Sequence, residues 1–422
     1  MPRTEYHTRT FAYADRRSFV TIPFEVPAGT ARIDVVYSVQ SAQPEACATD
    51  IGLHDPQGWR GWSGSARRAI FVTPYHATPG YLLGPLTPGR WEVLLGLYEL
   101  PESGCTIEVT ITIQETVAEW LTGDLHTHTV HSDGRLTAPE LCAFAVAQGL
   151  DYLAITDHNT VSQHQQEARN VPLLLIPGVE FTTYHGHANF FGWQPPLLDF
   201  RRDSDADLAE HFRMAHEAGM FISVNHPSEF DCGWERTFDL PYDAIEIWNW
   251  AWNDRDAASL ARWQQQLVDG QKRIALGGSD FHGPGVPGQA LPVVTRISVQ
   301  ERSVEALLAG LRAGHVIVAS GVAVPHMQFT LAGAMIGDTV EVHGDIMPLS
   351  LQVEDGTGAH LRLISERGVE AEYRIETPAW ARDQSVPADR RFYRVEVWSS
   401  ADEAQPLLIT NPIFLRQEME SQ

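Results

Sequence analysis

GDLHTHTVHSDG, residues 123–134, sets three histidines and two aspartates into twelve positions. In an extended strand, side chains two apart share a side. Asp124, His126 and His128 can then face one interior, with Leu125 and Thr127 opposite, and both imidazoles can reach the same ion. Asp133 comes just before Gly134, where a turn can fold its carboxylate back over that place. His131 has the wrong parity for the strand and reads as an exposed turn residue.

The same logic recurs downstream. Polar, metal-type side chains stand where short apolar runs end: Asp157 and His158 after YLAI, Glu180 in PGVEFTT, His226 in VNHP, and Asp280 and His282 in GGSDFHG. In an α/β barrel those strand ends share one rim, and active sites are built there. Asp157 can orient an imidazole or cap the turn. Glu180 can bridge two ions. The glycines before Asp280 permit close backbone approach. Mixed imidazole and carboxylate ligands suit Zn, Mn or Fe better than Ca or Mg.

Around this core the chain has three textures. Residues 1–119 hold short β-branched or aromatic runs, such as SFVTIPFEV and TIEVTITIQ, broken by Gly, Pro and Asp, and are expected to form an N-terminal β-sandwich. Over 120–317 apolar runs alternate with helical segments, expected near 138–149 with Thr137 as N-cap, from about Thr160, and over 205–219, 254–270 and 303–314. That alternation implies a parallel α/β sheet or barrel. Residues 318–422 return to β texture and are expected to form a second sandwich.

Five motifs in order, DLHTHTVHSDG, LAITDHN, GVEFTTYHGHANFFG, VNHP and GGSDFH, resemble the polymerase-and-histidinol-phosphatase (PHP) family. The resemblance implies a distorted seven-stranded, TIM-like α/β barrel, here flanked by the two β-sandwiches, with a two- or three-metal centre at the strand ends. Carried over, the metal ligands are His126, His128, Asp133, His158, Glu180, His187, His226, Asp280 and His282. The SDG form of the first motif is similar to members that act on phosphoesters. The flanks, including RGWSGSARR and TNPIFL, look like the carbaryl-hydrolase-like branch, which contains carbamate-cleaving members. The implied activity is a multinuclear metallohydrolase, first a phosphoesterase on small phosphate mono- or diesters. Two divalent cations held together lower the pKa of a bridging water and neutralise the phosphoester oxygens. Hydrolysis of carbamates or carboxylic esters is the near alternative. A non-catalytic, metal-stabilised ligand-binding protein is the alternative of another class.

Four further residues are candidates for substrate chemistry. His185, or else His131, can protonate a leaving oxygen. Asn249, in EIWNWAWND, has the parity to reach substrate if Trp248, Trp250 and Trp252 form an aromatic wall rather than core. Arg60 and Arg67, in a Gly/Ser-rich loop, can supply positive charge to an anionic substrate. His164, His211 and His216 read as ordinary surface residues.

Composition bounds the rest. The chain has 422 residues, 43% hydrophobic and 20% charged, with a formal charge of -24. Two or three domains are expected, and long nucleic acid is disfavoured as a partner. Four scattered cysteines without a CxxC pair make neither a zinc motif nor a disulfide framework. The polar N-terminus and the lack of an apolar run near 20 residues lead us to expect a cytoplasmic protein with no membrane partner. Oligomeric state is not encoded in these features.

Overall fold

The computed structural model describes residues 2–115, 118–165, 172–192, 198–284, 291–399 and 405–416. The chain divides into two units, Met1–Glu119 and Trp120–Gln422.

The first unit is all-β. One four-stranded antiparallel sheet runs Arg3–Phe11, Cys105–Glu115, Thr30–Gln40, Ala69–Val72, and the other runs Ser18–Val26, Gly89–Glu99, Ala48–Asp55, Gly58–Ser63. Alternation puts Ile22, Phe24, Ile51, Leu53, Trp91 and Val93 into one core with Ile33, Val35, Ile107 and Val109 of the other sheet.

The second unit carries the histidine-rich region. Its elements are β1 (Glu119–Asp124), α1 (Ala138–Ala147), β2 (Tyr152–Ile155), β3 (Leu174–Thr183), β4 (Gly186–Phe191), α2 (Asp205–Glu217) and β5 (Phe221–Val224). They continue with β6 (Ala244–Asn249), α3 (Asp254–Val268), β7 (Ile274–Gly278), β8 (Val294–Val299), α4 (Val304–Ala313) and β9 (Val316–Ala319). The strands lie in the order β7-β6-β5-β4-β3-β2-β1-β8-β9. The helices start where cap chemistry dictates. Thr137, Ser204 and Ser303 accept from the third backbone N–H of their helices, and Asn253 accepts from the Arg255 N–H.

Two features depart from a regular strand–helix repeat. Four α-helices occur among the described residues, and the segment after Thr160 forms only a 3₁₀ turn, Ser162–Gln165, before residues outside the described set. In addition, β3 and β4 form a tight hairpin, so β4 runs antiparallel to both β3 and β5. The region is a mixed sheet. No helix among the described residues is long and apolar enough to cross a membrane.

Residues 318–422 lie within this second unit and not apart from it. The strand β9, sequence VIVA, is buried throughout and pairs with β8 on one side and Pro406–Thr410 on the other. The sheet then continues through Phe392–Trp398, His360–Ser365 and Gly368–Arg374. Leu361, Val395 and Leu408 share one hydrophobic cluster with Leu141 and Leu153 of the histidine-rich region. A strand apolar on both sides needs both faces covered, and the backbone edge of β9 away from β8 is paired by the C-terminal strand Pro406–Thr410. Asn411 fastens the join, accepting from the Ala275 N–H (2.8 Å) and donating to the Ala275 carbonyl (3.0 Å).

Candidate metal centre

The parallel strands β1, β2, β5 and β7 end on the same side, and the chain just past each end carries His126 and His128, His158, His226, and Asp280 and His282. Glu180 lies within β3. His187 arrives from the opposite direction: β4 is antiparallel, so its beginning meets the others' ends. Parallel bridges Thr127–Phe281 and His158–Glu180 tie these ends together.

The side chains converge. Glu180 is fully buried, with one oxygen 3.2 Å from Nε2 of His126, 3.2 Å from Nδ1 of His187 and 3.4 Å from Nε2 of His226. Its other oxygen is 2.8 Å from Nδ1 of His158 and 3.4 Å from Nε2 of His128. Asp280 Oδ1 lies 2.9 Å from Nε2 of His128 and 3.3 Å from Nε2 of His126. Asp133 reaches Nε2 of His282 (3.2 Å) and Nε2 of His158 (3.5 Å) from the turn after β1. Four overlapping groups of closely spaced ligand atoms contain all nine residues: His128–Asp133–His158–His282, His126–Glu180–His226, His126–His128–Asp280 and His158–Glu180–His187.

The donor set fits divalent cations. Nε2 of His126, Nε2 of His128 and Oε2 of Glu180 are buried and make no hydrogen bond. Buried polar atoms left without partners are costly and rare. Three of them gathered among carboxylates fit the donor side of a cation site. Electrostatics agree. Burial disfavours protonated His126, yet Asp280, Glu180 and Glu246 outweigh it and hold its pKa well above the ordinary value. Burial likewise opposes protonation of His158, but Glu180 and Asp133 carry it up to about 10. Against its own burial, Glu180 is held well below the usual carboxylate range by His126, His187 and His158. The cluster is a concentration of negative charge that demands positive charge among its imidazoles.

Local backbone serves this convergence. His226 (φ +27°) and Asp280 (φ +53°) sit in the left-handed region, where non-glycine residues cost ~1–3 kcal/mol. Gly278 admits the close approach of β1: a Cβ there would stand 2.4 Å from His126 Cβ and 2.5 Å from Glu246 Oε1.

Glu246 escaped the sequence reading. It is buried in β6, accepts at Oε1 from Nδ1 of His126 (3.1 Å), and accepts at Oε2 from the His226 N–H (2.9 Å) and Nδ2 of Asn249 (2.9 Å). It fixes the tautomer of His126 so that Nε2 faces the cluster. Asn225, beside His226, donates to Glu180 (2.8 Å). A lone carboxylate inside the apolar run AIEIW was the available signal for Glu246.

The other singled-out residues fall elsewhere. Asn249, expected at the substrate, donates to Glu246, and its backbone N–H binds Asp256, placing it behind the cluster. Trp248 is core, its ring meeting Trp252 at 5.0 Å. His185 binds Asp203 Oδ2 through Nδ1 (2.6 Å) and lines a cavity of about 580 Å³ with Thr182, Tyr184, Phe200 and Arg201. Thr182 joins that cavity to the cluster through its 2.6 Å contact with Nδ1 of His158. Arg60 is buried in the first unit, bound to Asp55 (3.3 Å) and to the carbonyls of Gly84 and Pro85, with its guanidinium over Trp91. Arg67 is half-buried near Gly80 of the same unit. Asp157 holds the turn after β1 by accepting from Thr129 and Ser132, and His131 bonds Ser162. Asp124 accepts from both the N–H and hydroxyl of Ser279. His211, expected on the surface, is buried.

Residues 124–229 match the model of the PHP domain. Asp280 and His282 lie beyond the matched stretch and join the cluster through the fold. The chain is 43% identical over 63 residues to a 5'-3' exoribonuclease of Haemophilus influenzae, covering 14% of this chain and 23% of that protein. It is 43% identical over 115 residues to the 5'-3' exoribonuclease Rnm of Salmonella typhimurium, covering 23% of this chain and 39% of that one. The chain thus spans well under half the length of the curated relatives it matches. Among solved structures it resembles a two-domain protein of Bacteroides vulgatus containing a predicted PHP-like metal-dependent phosphoesterase, at 17% identity over 69% of this chain and 95% of that one, TM-score 0.40.

Proposed function

We propose that this chain, which carries a PHP domain over residues 124–229, is a metal-dependent hydrolase acting on small phosphate mono- or diesters. The observation that carries the reading is the set of three buried ligand atoms that make no hydrogen bond within a nine-residue imidazole–carboxylate cluster. His126, Glu180 and His226 would hold one cation, with His126 shared towards Asp280 and His128. His128, Asp133, His158 and His282 form a second position, and His158, Glu180 and His187 a third. Two or three ions of Zn, Mn or Fe suit these nitrogen and oxygen donors. When bound, they supply Lewis acidity for a phosphoryl oxygen and an activated water.

The chain's own residues do the remaining work. Glu246 keeps the His126 proton on Nδ1, leaving Nε2 as ligand. Thr182 steadies His158 from the cavity side. His185, its Nδ1 committed to Asp203, keeps Nε2 to pass a proton to the departing alcohol. Tyr184 and Phe200 offer apolar surface to the leaving group. A closed seven-stranded barrel belongs to this reading, and the Thr127–Phe281 bridge between the chain past β1 and past β7 supports it.

A second reading, a nucleotide or the 5' end of a short RNA as substrate, draws on the two exoribonuclease relatives. The formal charge of -24 weighs against long polymers. Metal-loaded protein assayed on p-nitrophenyl phosphate, bis-p-nitrophenyl phosphate, a 5'-phosphorylated oligoribonucleotide and p-nitrophenyl acetate separates the readings. Turnover of acetate alone would replace the phosphoesterase by a carbamate or ester hydrolase. Bound metal with no turnover would favour a binding protein.

A further inference from the structure

The outer face of the sheet Ser18–Val26, Gly89–Glu99, Ala48–Asp55, Gly58–Ser63 breaks the rule that the solvent side of a sandwich is polar. At its outward positions stand Phe19, Trp59 and Trp62, exposing 69%, 57% and 38% of their surface, together with Leu94. They line a cavity of about 790 Å³ lying wholly on the first unit.

Trp62 is fixed there as a platform. A Cβ on Gly52 would stand 2.5 Å from its ring, and one on Gly96 would stand 2.9 Å from it. Its indole therefore lies across two glycines on neighbouring strands, where any side chain would lift it off the sheet. Phe19 meets its edge at 5.9 Å and 64°. On the other side Trp59 stands edge-on to His54, 5.2 Å away. An exposed indole held rigid by glycines pays little entropy when a ligand covers it.

The polar rim selects the ligand. Asp50 and Glu92 line the cavity, and no Lys or Arg is among its lining residues. Arg90 meets Glu92 from outside that set (3.2 Å). A lining that carries two carboxylates and no cation of its own disfavours phosphates and acidic polymers and accepts hydroxyl donors. The volume exceeds what a lone quaternary ammonium group needs and suits a ligand of several rings. We propose that this face binds a neutral glycan, one pyranose laying its C–H face on Trp62 while its hydroxyls donate to Asp50 and Glu92. This site is independent of the hydrolase reading.

Affinity electrophoresis of the full chain tests it, in gels containing soluble β-1,4-glucan, xylan, galactomannan, starch or polygalacturonate. At least one neutral polysaccharide should retard the protein, and polygalacturonate should not. Trp62→Ala and Phe19→Ala should each weaken the retardation at least ~10-fold with unchanged melting temperature. Phe19 is open to solvent, so its truncation leaves the core intact even if Trp62→Ala disturbs the sheet. Retardation by no neutral polysaccharide, or equal retardation of wild type and both variants, would overturn the proposal. Displacement of tryptophan fluorescence by choline, with no glycan binding, would overturn it in favour of a cation cage.

Discussion

Replacing Glu246 by glutamine tests the metal centre at the residue that aims it. Three donors address the two oxygens of Glu246: Nδ1 of His126 at one, the His226 N–H and Nδ2 of Asn249 at the other. Glutamine is nearly isosteric but offers one acceptor oxygen and one NH₂. If that oxygen stays towards His126, the NH₂ faces two donors, at a cost of about 1–3 kcal/mol for each unsatisfied group. If the amide flips, His126 must carry its proton on Nε2, the atom that lies 3.2 Å from Glu180 and 3.3 Å from Asp280, and it no longer coordinates. Either way metal affinity should fall by ~10–100-fold, as for other groups that orient a ligating histidine, or about 1.4–2.7 kcal/mol. Competition of apo wild type and Glu246→Gln against a chromogenic chelator measures this directly, with circular dichroism confirming the fold. Equal affinities in the two folded proteins would refute the orientation argument.

Stripping metal with a chelator should lower the melting temperature, since free metal at 100 times its Kd stabilises by ~2.7 kcal/mol; identical melting curves with and without metal would contradict the site. Affinity should also rise with pH between 6 and 8, because His158, carried up to about 10 in the metal-free protein, must shed its proton to bind, by up to ~10-fold per pH unit; a flat dependence would exclude it as a ligand. Gly278→Ala should cost about 1–3 kcal/mol in urea unfolding and lose metal, because its Cβ overlaps His126. Arg60→Ala should destabilise the first unit by ~3–5 kcal/mol, leaving Asp55 buried and unpaired; reduced activity at unchanged melting temperature would instead return Arg60 to substrate binding. Asp203→Asn should lower kcat ~10²-fold on substrates with a poor leaving group and little on p-nitrophenyl esters, at unchanged metal content; an equal loss on both would remove His185 as proton donor.

The cluster was legible because imidazoles and carboxylates at strand ends announce themselves by type and parity. His126 and His128 are two apart at a strand end, and Asp280 and His282 follow two glycines. What supports them was not. Glu246 shows locally only as a lone carboxylate in an apolar run, and its partners, His126 past β1 and the His226 N–H past β5, come from distant parts of the chain. Arg60 was misplaced because a bulge between Leu53 and His54 shifts the register of its hairpin and turns the guanidinium inward. His211 sits on the apolar stripe of α2 with Leu208 and Phe212, where polarity alone suggested solvent. The antiparallel turn of β4 was hidden because TYHG reads as readily as a loop between parallel strands. The continuity of β9 with the C-terminal strands was hidden as well, since a strand does not encode locally which edge will cover it.

That continuity bears on how the histidine-bearing portion can be inherited. Asn411 grips Ala275, in the same strand-and-turn segment that delivers Asp280, from more than a hundred positions away. A recombination event ending the chain after β9 would strip one flank of that strand and release Ala275 together. The histidine-bearing portion cannot travel between genes as a portable cassette. Its closing strand must be transmitted with it, so loss of Pro406–Thr410 and Asn411 should be read as damage to the candidate metal site.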